Sequence, residues 1–198
     1  MAEDQDFLWH AKDSEMAPMT WSGFIFNPQI TYSTLDLNGA GSKLLNSPKG
    51  IKAGLELGYD WQLDNFVVGL AGDASYTWME GGNSVAGAGN YNSRQPFMGS
   101  LRARVGTNFD RFMVYGTGGL ALSRLEIKNL STGFSDGKTM VGWVAGGGVE
   151  YAWNKKITAR LEYLHSDFGS ADFATLPVAD SQLSSSTNAV NFSIISRF

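Results

Sequence analysis

Apolar and polar residues alternate with a period of two along most of this chain, and that alternation most constrains its fold. It is clearest over residues 51–62, where Ile51, Leu55 and Tyr59 share one parity and Lys52 and Glu56 the other. Successive side chains of a β-strand point to opposite faces, so the pattern predicts strands. Eight such segments lie at about 21–34, 51–62, 66–78, 97–109, 112–127, 141–153, 157–166 and 190–198. The sequence therefore predicts an all-β chain.

Composition excludes several classes of protein. The chain has no cysteine, which rules out disulfides, thiolate metal sites and cysteine nucleophiles. Its formal charge of −4 offers no electrostatic case for nucleic-acid binding. No apolar run approaches the roughly 18 residues that a transmembrane helix needs. A helical membrane protein is excluded, but a membrane protein built from strands is not.

The connections between the predicted strands alternate in length. Short polar turns at 62–65, 109–111 and 154–156 follow every second strand. Long stretches rich in Gly, Ser and Asn follow the others, at about 35–49, 80–95, 128–138 and 167–186. Short periplasmic turns and long external loops are typical of outer-membrane barrels. We therefore predict an eight-stranded antiparallel up-and-down transmembrane β-barrel over residues 19–198, after a flexible N-terminal tail over 1–18, with both termini periplasmic.

Aromatic residues concentrate at both ends of the apolar faces, as in the girdles of a lipid-facing band. The predicted girdle is Tyr59, Trp61, Phe66, Phe109, Tyr151 and Trp153 near the short turns, and Tyr76, Trp78, Phe97 and Tyr163 near the long loops. A soluble lipocalin-like barrel would instead turn its apolar face inward around a ligand. The opposite face is rich in Gly, Ser and Thr, which suits a narrow barrel interior better than a solvated surface. The pattern thus favours the membrane barrel, with the soluble carrier as an alternative.

The polar parity carries five basic and five acidic residues. They are Lys52, Arg102, Arg104, Arg160 and Arg197, with Glu56, Asp60, Asp73, Glu150 and Glu162. The lumen of an eight-stranded barrel is only wide enough to be filled by side chains. Buried charges must then be paired, because their desolvation cost is otherwise not recovered. We expect a charge network that largely plugs the lumen, and a gated polar path is the alternative.

The two ends of the chain carry different information. The first eight residues are acidic where a secretory signal would be basic, so either the protein is cytosolic or a signal was removed. A barrel of the outer membrane implies that a signal was removed. The last segment alternates and finishes on Phe198, similar to the assembly signal of bacterial outer-membrane barrels. We therefore expect the barrel-assembly machinery to bind the C-terminal strand.

Two segments carry a resemblance to a known family. Val141–Trp153 and Arg160–Gly169 resemble the porin-family outer-membrane β-barrel proteins, in particular the surface-antigen and opacity-like group of Gram-negative bacteria. Residues 21–24 are similar to the opening strand of that family, and residues 190–198 to its closing strand. The resemblance implies a structural or surface-interaction role, in membrane integrity, as a surface antigen or in adhesion. It implies outer-membrane lipid and lipopolysaccharide as partners, and an extracellular ligand on the loops.

The sequence departs from the family pattern at two places. Phe26-Asn-Pro28 replaces small residues in the first strand, and Pro28 predicts a bulge or local break there. Leu164-His165 replaces a more usual arginine and aromatic in the seventh strand. We expect these departures to affect the function of the loops more than the fold. A small-solute pore and a lipid A-modifying enzyme remain alternative functions.

Candidate catalytic groups are few. The histidines are His10, in the tail, and His165, which Ser166 and Asp167 follow as the ingredients of a hydrolase triad. Neighbouring strand residues point to opposite faces, so His165 and Ser166 are not expected to bond to each other. The loop acids Asp36, Asp136, Asp172 and Asp180 are too scattered for a calcium loop. We therefore predict no enzyme activity, no metal site and no cofactor.

Overall fold

The computed structural model describes residues 20–39, 49–78, 80–85, 89–130, 133, 135–172 and 182–198. The predicted tail over 1–18 and His10 lie outside these residues. Within the described part of the chain, no helix is long and apolar enough to cross a membrane.

The described residues form β-strands that close into a barrel. The strands are β1 Gly23–Gly39, β2 Lys49–Leu63, β3 Phe66–Thr77, β4 Glu80–Val85, β5 Gly89–Phe109, β6 Phe112–Asn129, β7 Ser135–Ala152, β8 Ile157–Asp172 and β9 Gln182–Arg197. Their order in the sheet is β3-β2-β1-β9-β8-β7-β6-β5-β4, and β3 also pairs with β5. Every pairing is antiparallel. The pairing of β3 with β5 closes eight strands into a ring, while β4 forms a hairpin with β5. The predicted eight-stranded antiparallel barrel is confirmed.

The two ends of the barrel differ in their connections. Residues 64–65, 110–111 and 153–156 form the short turns, and we call this the turn end. Asp64 and Asp110 adopt φ of 54° and 53°, a left-handed conformation that Asp tolerates better than most residues. The opposite end of the barrel, where β1 ends at Gly39 and β8 ends at Asp172, is called the loop end.

Strand pairing extends further toward the loop end than the alternation predicts. β1 continues to Gly39, which pairs with Leu183 of β9. The stretch 80–95, predicted to be a loop, contains β4 and the start of β5. Ladder hydrogen bonds come from the backbone, so strands continue where side chains no longer alternate in polarity.

Of the bulge or local break predicted at Pro28, the structure shows a local break in one ladder and no bulge. The register of β1 with β2 runs unbroken through the pair Pro28 and Leu55. On the β9 side of β1, the ladder omits Asn27 and Pro28, but Phe26 and Gln29 keep the same register with β9. Proline has no N–H to donate, so a hydrogen bond is lost without a shift of the strand.

The apolar parity faces outward and the polar parity inward. Ile30 and Phe192, for example, are 67% and 62% exposed on the outer wall. Glu56 and Arg160, of the opposite parity, are each 1% exposed. Side chains inside the barrel thus form the core, and the outer wall is a band of exposed apolar residues.

Candidate functional site in the barrel lumen

All ten charged residues of the polar parity point into the lumen. Nine are buried, and the side chain of Asp73 is 13% exposed. They come from β2, β3, β5, β7, β8 and β9, so barrel closure brings together charges that are distant in sequence.

Arg102 connects three carboxylates from different strands. Its Nη1 donates to Glu162 Oε1 at 3.0 Å, and its Nη2 donates to Glu56. The same Nη2 lies 3.4 Å from Asp73 Oδ1. A guanidinium has five donors in a planar fork, which lets one arginine serve several acceptors.

Glu150 is the acceptor at the centre of a second group. Its Oε1 lies 2.6 Å from Arg104 Nη2 and 2.8 Å from Arg160 Nη2, and its Oε2 lies 3.2 Å from Arg197 Nη2. Arg197 also donates to Asp60 Oδ2 at 2.9 Å. Arg160 donates in addition to Glu56, which joins the two groups into one network.

Tyr115 and Asn27 belong to this network, although the sequence argument did not single them out. Tyr115 donates to Glu162 Oε1 at 2.8 Å, and the guanidinium carbon of Arg104 lies 4.2 Å from its ring centroid. Asn27 Nδ2 lies 3.4 Å from Glu56 Oε1. Both residues share the inward parity of their strands, and that parity was the signal that could have identified them.

An apolar cluster lies inside the barrel at the turn end. Trp21, which precedes β1, is 1% exposed and packs in a cluster with Val67, Met113, Tyr115 and Ala152. The backbone carbonyl of Trp21 accepts a hydrogen bond from Arg197, and its backbone N–H donates to Gln62 Oε1 at 2.7 Å. The residues before β1 thus contribute a bulky side chain to the barrel interior, which the sequence argument missed.

Lys52 differs from the other nine interior charges. Among the described residues it has no carboxylate within 4 Å, and its Nζ lies 3.8 Å from Met98 Sδ. It borders a cavity of about 20 Å³ that Asp73, Ser100 and Ser166 also line. A volume of this size holds about one water molecule.

The three residues that resembled a hydrolase triad do not form one. His165 Nδ1 lies 2.8 Å from Asn188 Oδ1, which also accepts from the Tyr163 hydroxyl. Ser166 is buried on the inward face, while Asp167 Oδ1 accepts from the N–H of Gly169. Within the described residues, no group of three or more His, Asp or Glu could hold a metal ion.

The predicted girdle residues lie on the outer wall. All ten are exposed, from 39% for Tyr151 to 71% for Trp153. Phe198 is exposed as well. Its backbone forms two hydrogen bonds with Phe24, in which the N to O distances are 2.9 and 3.0 Å. The C-terminal residue therefore closes the ring against the first strand while its side chain stays outside.

An apolar outer wall with exposed aromatic rings, around a lumen lined by charged residues of which most are paired, defines an integral transmembrane β-barrel. Residues 14–198 match the family model described as outer membrane protein beta-barrel domain. The chain belongs to this family, which confirms the resemblance and the outer-membrane location.

Sequence relatives agree with this assignment. The 25 kDa outer-membrane immunogenic protein of Brucella melitensis biotype 1 is 34% identical over 163 residues, which cover 80% of this chain and 71% of that protein. The 22 kDa outer membrane protein of Rhizobium leguminosarum bv. viciae is 32% identical over 164 residues, covering 82% and 72%.

Solved structures share the fold at low sequence identity. Neisserial surface protein A aligns with a TM-score of 0.59 and 13% identity, over 89% of this chain and 98% of that chain. OprG of Pseudomonas aeruginosa aligns with a TM-score of 0.54 and 14% identity, over 91% and 98%. At this identity the likeness concerns the fold alone.

Proposed function

We propose that this protein is a non-enzymatic structural or surface-interaction barrel with a plugged lumen. The observation that carries the proposal is the network around Glu56 and Glu150, whose carboxylates bind four arginines inside the ring. The interior of an eight-stranded barrel is about wide enough for such side chains to fill it. The apolar cluster around Trp21 lies between this network and the turn end.

The orientation and the contacts of the barrel are part of the proposal. The short turns and both termini face the periplasm, and the loop end faces outward. The strands extend beyond the apolar band at the loop end, as the β4–β5 hairpin does, and offer surface for contacts with other molecules. The immunogenic outer-membrane relatives support a role at the cell surface.

The absence of enzyme activity is likewise proposed from the geometry. His165 shares Asn188 with Tyr163, and Ser166 lies on the opposite face of the strand. A nucleophile and its base must be within hydrogen-bond distance of each other. This pair is not arranged for lipid or peptide hydrolysis.

Single-channel recording in planar bilayers tests the plugged lumen. The refolded barrel, shown to be closed by a heat-dependent shift on a gel, should give no discrete current steps. A large porin recorded in the same bilayers is the positive control. Reproducible steps from the folded protein would replace this proposal with a pore, in which water passes beside Lys52 and the neighbouring cavity.

A further inference from the structure

Strands β1 and β6 lie on opposite sides of the barrel. The closed ring has the order β1-β2-β3-β5-β6-β7-β8-β9, so four strand steps separate β1 from β6 in either direction. A contact that joins the β1 wall of one barrel to the β6 wall of the next would therefore repeat along a straight row. Copies of one barrel cross a membrane in the same direction, so residues at equal height on these two walls would meet.

The stagger of the strands fixes which residues lie at equal height. A row of register partners starts at Phe24, reaches Gly118 of β6 halfway round the ring, and returns to β1 at Thr34. The row therefore climbs ten residues toward the loop end in one circuit and five in half a circuit. The position of β6 level with Phe24 is thus five residues before Gly118, beside Phe112. By the same count, Ile30 is level with Gly118 to within one residue.

The two walls have opposite relief at this height. On β1 and β9, the register partners Ile30 and Phe192 project from the wall and are 67% and 62% exposed. On β6 and β7, small residues at the outward positions form a recess, made of Gly116, Gly118, Ala145 and Gly147. Strand order runs in opposite directions across a head-to-tail contact, so β9 faces β7 when β1 faces β6. The two large side chains then meet the recess, and small residues let backbones approach closely in lipid.

The barrel itself does not require glycine in the recess. The nearest atom to a Cβ at Gly118 would be the Val144 oxygen at 3.5 Å, and at Gly116 it would be the Gly146 oxygen at 3.9 Å. These are ordinary contacts, whereas a Cβ at Gly119 would overlap the backbone of β5. Glycine in a strand interior weakens the strand and often marks a site where another backbone approaches. The outward glycines thus leave room for a neighbour outside the barrel.

The two walls also carry opposite charges nearer the loop end. Asp36 lies six residues beyond Ile30, and Arg124 lies six residues beyond Gly118 at the centre of the recess, so the two charges are level. Arg124 is 53% exposed and pairs with Glu126, and the exposed Lys128 on the same face keeps the β6 wall basic. Among the described outward residues of β8, β9 and β1 there is no Lys or Arg. The charges of the two walls are therefore complementary.

We propose that copies of this protein associate head to tail in the membrane, with the β1–β9 wall of one barrel on the β6–β7 wall of its neighbour. Ile30 and Phe192 fill the recess, and Asp36 faces Arg124. The contact is heterologous and does not close, so the copies form rows. A face about three strands wide and about 25 Å tall covers on the order of 400 Å² per barrel. Interfaces of this size are weak, so the rows depend on dense packing of the barrels.

Cysteine crosslinking in the outer membrane tests the contact, because the chain has no cysteine of its own. Cells that produce both Ile30→Cys and Gly118→Cys should form a disulfide-linked dimer on oxidation. Either variant alone should form none, because a heterologous contact does not bring a residue against its own copy. The double variant Ile30→Cys/Gly118→Cys should give a ladder of higher multimers. A heat-dependent gel shift verifies folding of every variant.

Gly72 of β3 is the matched control position. It is an outward glycine, the nearest atom to a Cβ there would be 3.7 Å away, and β3 belongs to neither wall. Ile30→Cys with Gly72→Cys should give only the yield of random collisions. A second cysteine pair, Phe192→Cys with Ala145→Cys, reports on filling of the recess. Gly118→Leu should abolish the dimer of that pair, and Gly72→Leu should leave it unchanged.

Charge reversal tests the polar part of the contact in the Ile30→Cys/Gly118→Cys background. Asp36→Arg alone should lower the yield of multimers, because it places a cation opposite Arg124. Asp36→Arg combined with Arg124→Asp should restore the yield, because every contact again joins opposite charges. Failure of the second reversal to restore multimers would remove this pair from the contact.

Three further results would overturn the proposal. Dimers from Ile30→Cys alone, in the yield of the mixture, would mean an isologous contact. Equal yields with Gly118→Cys and with Gly72→Cys would mean random collisions. No dimer from folded variants would mean that the two walls do not meet. None of these results bears on conductance, so failure of this contact and failure of the plugged lumen are separately visible.

Discussion

Arg160 and Glu150 face each other directly across the β7–β8 hairpin. They are register partners, and Arg160 Nη2 lies 2.8 Å from Glu150 Oε1. Each also binds a residue from a distant strand, Glu56 for Arg160 and Arg104 for Glu150. A contact made by one hairpin is thereby joined to contacts that only the closed barrel can make.

Neutralising Glu150 should weaken the barrel strongly. Glu150→Gln removes the buried carboxylate that Arg104, Arg160 and Arg197 share. Loss of a buried charge partner lowers the free energy of unfolding by about 3–5 kcal/mol. The free energy of unfolding in lipid vesicles, from urea titration, measures the effect. The matched control is Glu126→Gln, which breaks an exposed pair and should cost at most about 1 kcal/mol. Equal effects of the two variants would contradict the buried network.

The glycine at position 119 is required by close strand approach. A Cβ there would overlap the carbonyl oxygen of Leu101 and lie 2.8 Å from Arg102 Cα. Gly119→Ala should therefore destabilise the barrel by about 1–3 kcal/mol or more. At Gly116 the nearest atom to a Cβ is 3.9 Å away, so Gly116→Ala should stabilise the strand by about 0.5–1 kcal/mol. Thermal gel-shift midpoints compare the two variants, and a reversed order would show that the strand spacing is wrong.

Trp21 and Trp61 should differ in their access to lipid. Trp21 is 1% exposed inside the barrel, whereas Trp61 is 46% exposed on the outer wall. Variants that keep one of these tryptophans, with the others changed to Phe, allow each to be observed by fluorescence. In vesicles of brominated lipid, Trp61 should be strongly quenched and Trp21 hardly at all. Similar quenching of both would place Trp21 outside the lumen.

Phe198 should matter for assembly more than for stability. Its side chain is 78% exposed, so Phe198→Ala removes few internal contacts and keeps the backbone pairing with Phe24. We expect an unchanged unfolding midpoint for the refolded protein and a reduced amount in the outer membrane of cells. An unchanged cellular level would remove the residue from recognition by the assembly machinery.

The absence of cysteine allows a clean test of orientation. Ser135→Cys places a thiol at the loop end, and Lys155→Cys places one at the turn end. A membrane-impermeant thiol reagent added to intact cells should label the first variant and not the second. After the outer membrane is permeabilised, both should react. Labelling of Lys155→Cys alone in intact cells would reverse the proposed orientation.

Much of the lumen could be predicted from side-chain parity. Alternation is a local property of extended backbone, so Glu56 and Arg160 could be placed on inward faces before their partners were known. The short turn at 153–156 also makes Glu150 and Arg160 neighbours within one hairpin. At Pro28 the sequence left a bulge and a local break open, because its effect depends on which of the two adjacent strands needs its missing N–H.

Local pattern could not reveal how the interior is filled. Trp21 lies at the start of the first alternating segment and precedes β1 in the structure, and it packs against Val67 and Met113 only because the ring closes around it. The contact between Glu56 and Arg160 joins residues 104 positions apart. Such a pair depends on the stagger of the strands and on the narrow lumen of an eight-stranded ring. The sequence by itself determined which side chains face lipid and which face inward, because that choice has a period of two. Only the tertiary structure decided which inward charges meet, because that depends on barrel closure.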